Sequence, residues 1–387
     1  MKSSSLTRAV LSTVLQPVFS TRPNPGRSIV CSASPPKPRT PLYQRPPAFR
    51  ATLSELKKWH VWAKNQAASV GSSFLDLDDG PDSPLLLREL NWLVEDALER
   101  PSVLSPQNSS SNYDDAIPVS IRACLYDLYK LWKQRIEERR PFQYLVGCEH
   151  WRDLILSVEE GVLIPRPETE IIVDLVDDAV RGNEKLRNGI WADLGTGSGA
   201  LAIAVARILG VGSGRVIATD LSPVAVAVAS YNVERYNLQQ DRVAVRLGSW
   251  FDPLEDVKGE LSGLVSNPPY IPSEDIDGLQ AEVSKHEPRL ALDGGANGMN
   301  DLIHLCNGAA SMLKPGGFFA FESSTYKKLG FPLFLASIHP RKCYLRNVNH
   351  KVGLKHELNQ QVDIVIGSTK PVDPQKSADY YATYSPF

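Results

Sequence analysis

Apolar and polar positions change period along this chain. From residue 52 to residue 140 the apolar residues recur at spacings of three and four, the period of helices with one buried face. Leu53, Leu56 and Trp59 or His60 begin one stripe. Leu86, Leu90, Leu93, Val94 and Ala97 form a second, and Ile121, Leu125, Leu128, Trp132 and Ile136 a third. Gly80-Pro81 and the polar run 105–115 separate them. The pattern predicts a small helical domain over 51–140, suited to gripping a partner or covering a cleft. Residues 142–164 alternate instead and carry Gly147 and Gly161, which predicts a β-hairpin linker over 141–164.

From 165 onward, short apolar runs alternate with helical stretches. Strands are expected at 191–194, 216–220, 243–247, 264–266 and 318–322, and helices at 200–209, 223–236 and 301–313. A further helix runs through Val173, Leu175, Val176 and Val180, started by Thr169 or the residues just before it. Such alternation predicts an α/β fold with a doubly wound parallel sheet. The stretch 338–358 is basic and poorly patterned, and 362–366 reads as a last strand.

Punctuation between these runs marks the candidate chemistry. The fourth strand ends in Asn267-Pro268-Pro269-Tyr270. Two consecutive prolines lack the N–H that a ladder needs and hold the backbone extended beyond the sheet. In an open α/β sheet, ligands bind beyond the carboxyl ends of strands. A planar NH2 group there would meet two acceptors, the Asn267 side-chain oxygen and the Pro268 carbonyl, with the Tyr270 ring free to stack on it. That suits alkylation of an amide or aromatic amine, a poor nucleophile that gains from alignment and from acceptors as charge develops. The plainer alternative is an ordinary proline turn. After the first strand, Gly195-Thr196-Gly197-Ser198-Gly199 permits close approach of backbone to a ligand. Its spacing is not the G-x-G-x-x-G of a dinucleotide site. Asp220 closes the second strand, where an acid can bond ribose hydroxyls. Trp250 is placed either beside an adenine or in the core.

Composition narrows the classes. A length of 387 residues suggests two or three domains, and a net charge of −2 offers no global basic field for nucleic acid. The five cysteines lack CxxC spacing and read as reduced thiols; the seven histidines include no HExxH, so no metal site is expected. No apolar run is long enough to span a bilayer. The first acidic residue is Glu55, and the preceding stretch is rich in Ser, Thr, Pro and Arg. That composition predicts a disordered transit peptide over 1–50, with a basic tail as the alternative. Ile29-Val30-Cys31-Ser32-Ala33 resembles a stromal cleavage region and favours the chloroplast over the mitochondrion.

Taken together, the glycine turn, the acid closing strand two and Asn-Pro-Pro-Tyr closing strand four resemble a class I S-adenosylmethionine-dependent N-methyltransferase, a Rossmann-like fold. Three longer segments, Val162-Leu163-Ile164-Pro165-Arg166-Pro167-Glu168-Thr169-Glu170, Asp193-Leu194-Gly195-Thr196-Gly197-Ser198-Gly199 and Glu287-Pro288-Arg289-Leu290-Ala291-Leu292-Asp293-Gly294-Gly295, are similar to the HemK/PrmC family. These are protein-glutamine N5-methyltransferases of peptide-chain release factors. The resemblance implies a methyltransferase domain over 165–387 and S-adenosylmethionine as cofactor. It implies cofactor contacts from Gly195, Thr196, Gly197, Ser198, Gly199, Asp220, Trp250 and Asn267, with Glu168 and Thr169 near the cofactor's amino-acid end. Asn267, Pro268, Pro269 and Tyr270 would hold the substrate amide, with Asn267, Pro268 and Tyr270 as the catalytic set. The implied partner is an organellar release factor carrying a Gly-Gly-Gln loop, with no metal, no direct nucleic-acid binding, no membrane and a monomeric enzyme.

Two positions depart from the family pattern. Asn297 stands where Asp is usual, and Glu322 is followed by Ser323-Ser324-Thr325-Tyr326 rather than by a hydrophobic residue and Gly. The chain is therefore atypical from about 323, and whether it forms the closing hairpin is left open. Three rivals also stay open: a ribosomal-protein glutamine methyltransferase, a nucleic-acid adenine N6-methyltransferase, and a non-catalytic cofactor-binding protein.

Overall fold

Capping fixes where the first helices begin. A computed structural model describes residues 38–104, 116–212, 214–239, 241–324, 343–348 and 362–368. Strand β1 (Phe49–Thr52) runs directly into helix α1 (Leu53–Val70). The Thr52 N–H donates to the Glu55 carboxylate at 2.8 Å, and the Glu55 N–H donates to Thr52 Oγ1 at 3.2 Å. This reciprocal pair satisfies donors that a helix start leaves unpaired. A short α2 (Ser73–Asp78) leads to α3 (Ser83–Ala97), whose start is set by Asp82 accepting from the Leu85 N–H at 2.9 Å. Strand β2 (Pro118–Ile121) pairs antiparallel with β1, and α4 (Leu125–Glu137) follows. Leu56, Trp59, Leu86, Leu90, Leu93 and Trp132 are fully buried between these helices. Trp132 donates through Nε1 to the Ala63 carbonyl at 2.9 Å.

Three expectations need correction here. Leu42 is fully buried in this core, and β1 includes Phe49 and Arg50, so order begins before residue 51. Residues 1–37, and with them the cleavage-like stretch, lie outside the described residues. Ile121 belongs to a strand rather than to the third helical stripe, because the bend at 122–124 falls between it and α4. Finally, residues 142–146 are not a hairpin strand. Pro141, with its fixed φ, starts a helical turn α5 (Phe142–Val146), and Gly147 ends it at φ 82°. The hairpin is the narrower pair β3 (Cys148–Trp151) and β4 (Leu154–Ser157).

Helices α6 (Glu170–Val180) and α7 (Glu184–Arg187) precede the main sheet. Then come β5 (Ile190–Leu194), α8 (Ala200–Leu209), β6 (Arg215–Asp220), α9 (Pro223–Arg235), β7 (Val243–Leu247) and β8 (Leu261–Ser266). The chain continues through α10 (Ala281–Ser284), α11 (Asn300–Met312), β9 (Leu313–Ser324), β10 (Cys343–Val348) and β11 (Val362–Ser368). The seven strands lie in the order β10-β11-β9-β8-β5-β6-β7. Neighbours from β9 to β7 are parallel; β11 is antiparallel to β9 and to β10. The expected last strand is therefore present as β11, and the closing hairpin forms through β10 and β11 despite the atypical residues after Glu322.

Both faces of the sheet are covered, one by α6 and α8 and the other by α11. Burial on both faces explains why β8 reads as a continuous run with every residue buried. Chain order reverses at β5: β6 and β7 extend one way, β8 and β9 the other. That switch point opens a crevice at the carboxyl ends of β5, β6 and β8.

Candidate active site

The crevice is built first from backbone. Gly195 and Gly197 have φ of 71° and 56°, values open to glycine at little cost. The N–H groups of Gly195 and Thr196 both donate to the Thr219 carbonyl at 2.9 Å, tying the turn to the end of β6. Gly197 N–H donates to Asp220 Oδ2 at 2.8 Å, and Ser222 N–H to Asp220 Oδ1 at 2.9 Å. Backbone N–H groups thus orient both Asp220 oxygens, with Leu221 a further backbone partner, and a carboxylate's four lone-pair sites leave accepting capacity. Asn232 on α9 secures the same turn. Its Nδ2 donates to Ser198 O at 2.9 Å and to Ser157 O of the hairpin at 3.0 Å.

A cavity of about 540 Å³ lies over this turn. Gly195, Thr196, Gly197, Ser198, Asp220, Trp250, Asn267, Pro269 and Thr169 line it. The volume is that of a small-molecule site. Trp250 stands against Gly195, where an added Cβ would meet the indole at 3.4 Å. It holds a positive φ of 43°, a conformation that costs energy in a non-glycine residue and is enriched at functional sites.

Other expected residues are placed elsewhere. Gly199, Pro268, Tyr270 and Glu168 are not part of the cavity lining. Gly199 caps α8 at φ 85° and packs on α9, where a Cβ would meet Ala229 at 3.4 Å. Tyr270 does not present its ring to the cavity; its hydroxyl donates to Glu322 Oε1 at 3.0 Å. Burial and the Glu322 carboxylate hold that phenol well above its usual range.

Three residues absent from the expected set support the site: Asp193 on the cavity lining, and Glu322 and Arg166, which bond residues around it. Asp193 is fully buried at the end of β5, where its Oδ2 accepts from Thr196 Oγ1 at 2.6 Å and from Ala202 N–H at 3.0 Å. Asp193 is on the cavity lining, and its buried Oδ1 has no partner among the described residues. Burial pushes this carboxyl up to about 7. Glu322, also fully buried, accepts from Thr169 Oγ1 at 2.7 Å. Its carboxyl too is pushed up to about 7 by burial, against the pull of its two hydroxyl donors. Thr169 Oγ1 in turn accepts from Asn267 Nδ2 at 2.9 Å. Thr169 gives no side-chain cap to α6, because its hydroxyl is engaged here. Arg166 completes the frame: its Nη2 donates to both oxygens of Glu287 at 2.8 Å, joining the Pro-Arg-Pro and Glu-Pro-Arg segments.

The loop that follows Tyr270 is held at base and tip. Ile271 bridges Asp293. Glu282 accepts from Arg135 Nη1 at 2.8 Å and from Arg139 Nε at 2.7 Å, both from the helical domain. Arg135 also donates to Glu89 at 2.6 Å, so the charges are mutually compensated in a buried cluster.

A family model for ribosomal protein L11 methyltransferase (PrmA) matches residues 166–267. The curated relatives reach further. The release factor glutamine methyltransferase of Synechocystis sp. is 36% identical over 274 residues, 70% of this chain and 84% of that protein. The chain belongs to the release factor glutamine methyltransferase family. Family members so named from Gloeobacter violaceus and Thermosynechococcus vestitus are 46% and 43% identical, over 53% of this chain and 69% and 68% of theirs. Among solved structures, the hMettl16 catalytic domain in complex with a MAT2A 3'UTR hairpin overlays with a TM-score of 0.43 at 13% identity, covering 65% of this chain and 82% of that one.

As a member of this family, the chain is an S-adenosylmethionine-dependent protein-glutamine methyltransferase on a class I, Rossmann-like fold. The cavity suits that methyl donor on its own chemistry. A ligand with a sulfonium and an ammonium would meet a buried acid, Asp193, with an unpartnered oxygen. Asp220 and Trp250, both on the lining, are the groups that would hold a ribose diol and an adenine. When bound, the donor supplies an electrophilic methyl carbon. The chain supplies orientation, exclusion of water and fixed acceptors. Asp193 and Glu322 had a readable sign in the sequence: each is an acid set within an apolar strand, a costly placement unless it has a use.

Proposed function

We propose that this methyltransferase modifies the side-chain nitrogen, N5, of the glutamine in the Gly-Gly-Gln loop of a peptide-chain release factor, and does so as a monomer within the chloroplast. One observation carries the chemistry. Asn267 stands on the cavity wall with its amide nitrogen committed to Thr169, which leaves Oδ1 as an acceptor. A primary amide needs such an acceptor more as its nitrogen becomes positive, so Asn267 favours the transition state over the ground state. Pro269 beside it closes the wall toward the substrate. As the N–C bond forms, the methyl–sulfur bond breaks and the donor leaves as a neutral thioether; the cationic N-methyl amide then loses one of its two N–H protons to water.

Support for the substrate comes from the relatives' names, three of them from cyanobacteria. The match to the L11 methyltransferase model, by contrast, spans only residues 166–267. Support for the address is the acid-free leader with its stromal-type motif. Mass spectrometry of a recombinant plastid release factor, after incubation with the protein and labelled donor, should find one added methyl on that glutamine. Label found only on ribosomal protein or on DNA adenine would refute the assignment. A fluorescent fusion of residues 1–60 that stays in the cytosol would refute the address.

A further inference from the structure

We infer that Glu322 is a positioning residue for the substrate amide, acting through Thr169 to hold the Asn267 side-chain oxygen toward the accepting nitrogen. The inference rests on the reading that Asn267 receives the glutamine. It follows from counting hydrogens. A threonine hydroxyl has one hydrogen and two lone pairs, and an ionised carboxylate only accepts. With Glu322 ionised, Thr169 must spend its hydrogen on Oε2, 2.7 Å away. Toward Asn267, 2.9 Å away, it can then only accept. The group facing Thr169 is therefore the NH2, and the Asn267 carbonyl oxygen must point the other way.

Tyr270 pins the far oxygen of Glu322 at 3.0 Å and belongs to the same loop as Asn267. The carboxylate on β9 thus fixes both ends of Asn-Pro-Pro-Tyr. Without an ionised acceptor, the Thr169 hydroxyl is free to donate to Asn267 Oδ1. The amide then turns over and presents its NH2 to the substrate's NH2, two donors face to face.

The charged and titratable groups around Glu322 are Tyr270 from the loop after β8, and Glu168 and Arg166 from the segment before α6. Burial and Glu168 favour its neutral form, while the Thr169 and Tyr270 hydroxyls and Arg166 favour the ionised one. Because the oriented state needs the carboxylate, and this carboxyl is pushed up to about 7, methyl transfer should rise with pH across neutrality.

The test compares the wild-type protein with Thr169→Val, Thr169→Ser and Glu322→Gln on a release factor containing Gly-Gly-Gln. Thr169→Val keeps the shape and removes the hydroxyl. It should lower kcat by about ten- to a hundredfold, less than the hundredfold or more for a lost group that itself faces the developing charge, because Thr169 acts through Asn267. Donor affinity by calorimetry should change little, and Thr169→Ser should recover most of the rate. Glu322→Gln offers one acceptor to two hydroxyls, so kcat at saturating donor should fall and its rise across neutral pH should shrink, what remains belonging to Asp193. If that variant does not fold, the threonine pair still decides. A wild-type rate in Thr169→Val overturns the inference while the functional reading stands. Donor affinity falling in step with kcat would place Thr169 on the donor and also overturn it. A wild-type protein that fails on the release factor defeats the functional reading, and the inference with it.

Discussion

The two walls of the cavity are made differently. The donor wall comes from one run of backbone, Gly195 to Ser198, and from Asp220, with Gly195 and Thr196 bonded to Thr219 and Gly197 to Asp220 at the carboxyl ends of adjacent strands. The amide wall is formed by Thr169 and Asn267 and held by Glu322 through Thr169, residues from three separate parts of the chain that meet only in the folded state. A local wall is hard to disturb from afar. An assembled one depends on everything that keeps its parts in register. Damage at a distance should therefore reach methyl transfer before it reaches donor binding.

The largest expected effect tests this from the outside. Glu282→Ala leaves Arg135 and Arg139 with fewer partners in a buried cluster. Removing one partner of a buried ion pair costs about 3–5 kcal/mol. Denaturant melts should show a loss of that size. If the variant is still folded at low temperature, methyl transfer should suffer while donor affinity holds. Equal losses in both would erase the distinction between the walls.

Asn267→Ala acts at the assembled wall itself. It should slow methyl transfer by about a hundredfold or more, with donor affinity much less affected. A wild-type rate would make the loop merely structural. Asp220→Ala is its counterpart on the local wall. It should weaken donor binding by about 1.5–3 kcal/mol, the scale of charge-assisted hydrogen bonds. Calorimetry showing unchanged affinity in a folded variant would remove Asp220 from the site.

The smallest effect separates packing from contact. Gly199 holds φ 85° against α9 and does not line the cavity. Gly199→Ala should cost about 1–2 kcal/mol in stability, the strain of a left-handed alanine. Donor affinity should be unchanged, which would set Gly199 apart from Gly195 and Gly197. Likewise, removing residues 1–37 should leave catalysis intact. Extending the deletion through residue 54 should not, because it removes Leu42, β1 and the Thr52 cap.

Legibility in the sequence follows the same division. The glycine turn and Asp220 were visible because their work is done by neighbouring residues, and spacing is what a sequence records. The β-α alternation was visible because a sheet buried on both faces needs continuous apolar runs. Glu322 was noticed only as the place where a pattern breaks. Its role depends on Thr169 and Tyr270, and no local period encodes a pairing across such separations. Thr169 does stand at the start of α6, as the pattern predicts, but its hydroxyl serves Glu322 and Asn267 rather than the helix end, which no local period encodes. Leu42 and β1 were hidden because a short strand in a basic, proline-rich stretch resembles an unstructured leader.

The loop from Ile271 to Asp293 has one more consequence. It is closed at its base by the bridge between those residues and clamped at Glu282 by two arginines. Ordering a free loop of that kind around a guest would draw its entropy from the binding free energy. Here those contacts hold the loop beforehand, so on the proposed function the peptide substrate would bring most of the disorder to be lost at Asn267. Recognition should then resemble a key entering a fixed lock, with the rate of docking set by how often the peptide, not the enzyme, adopts the right shape.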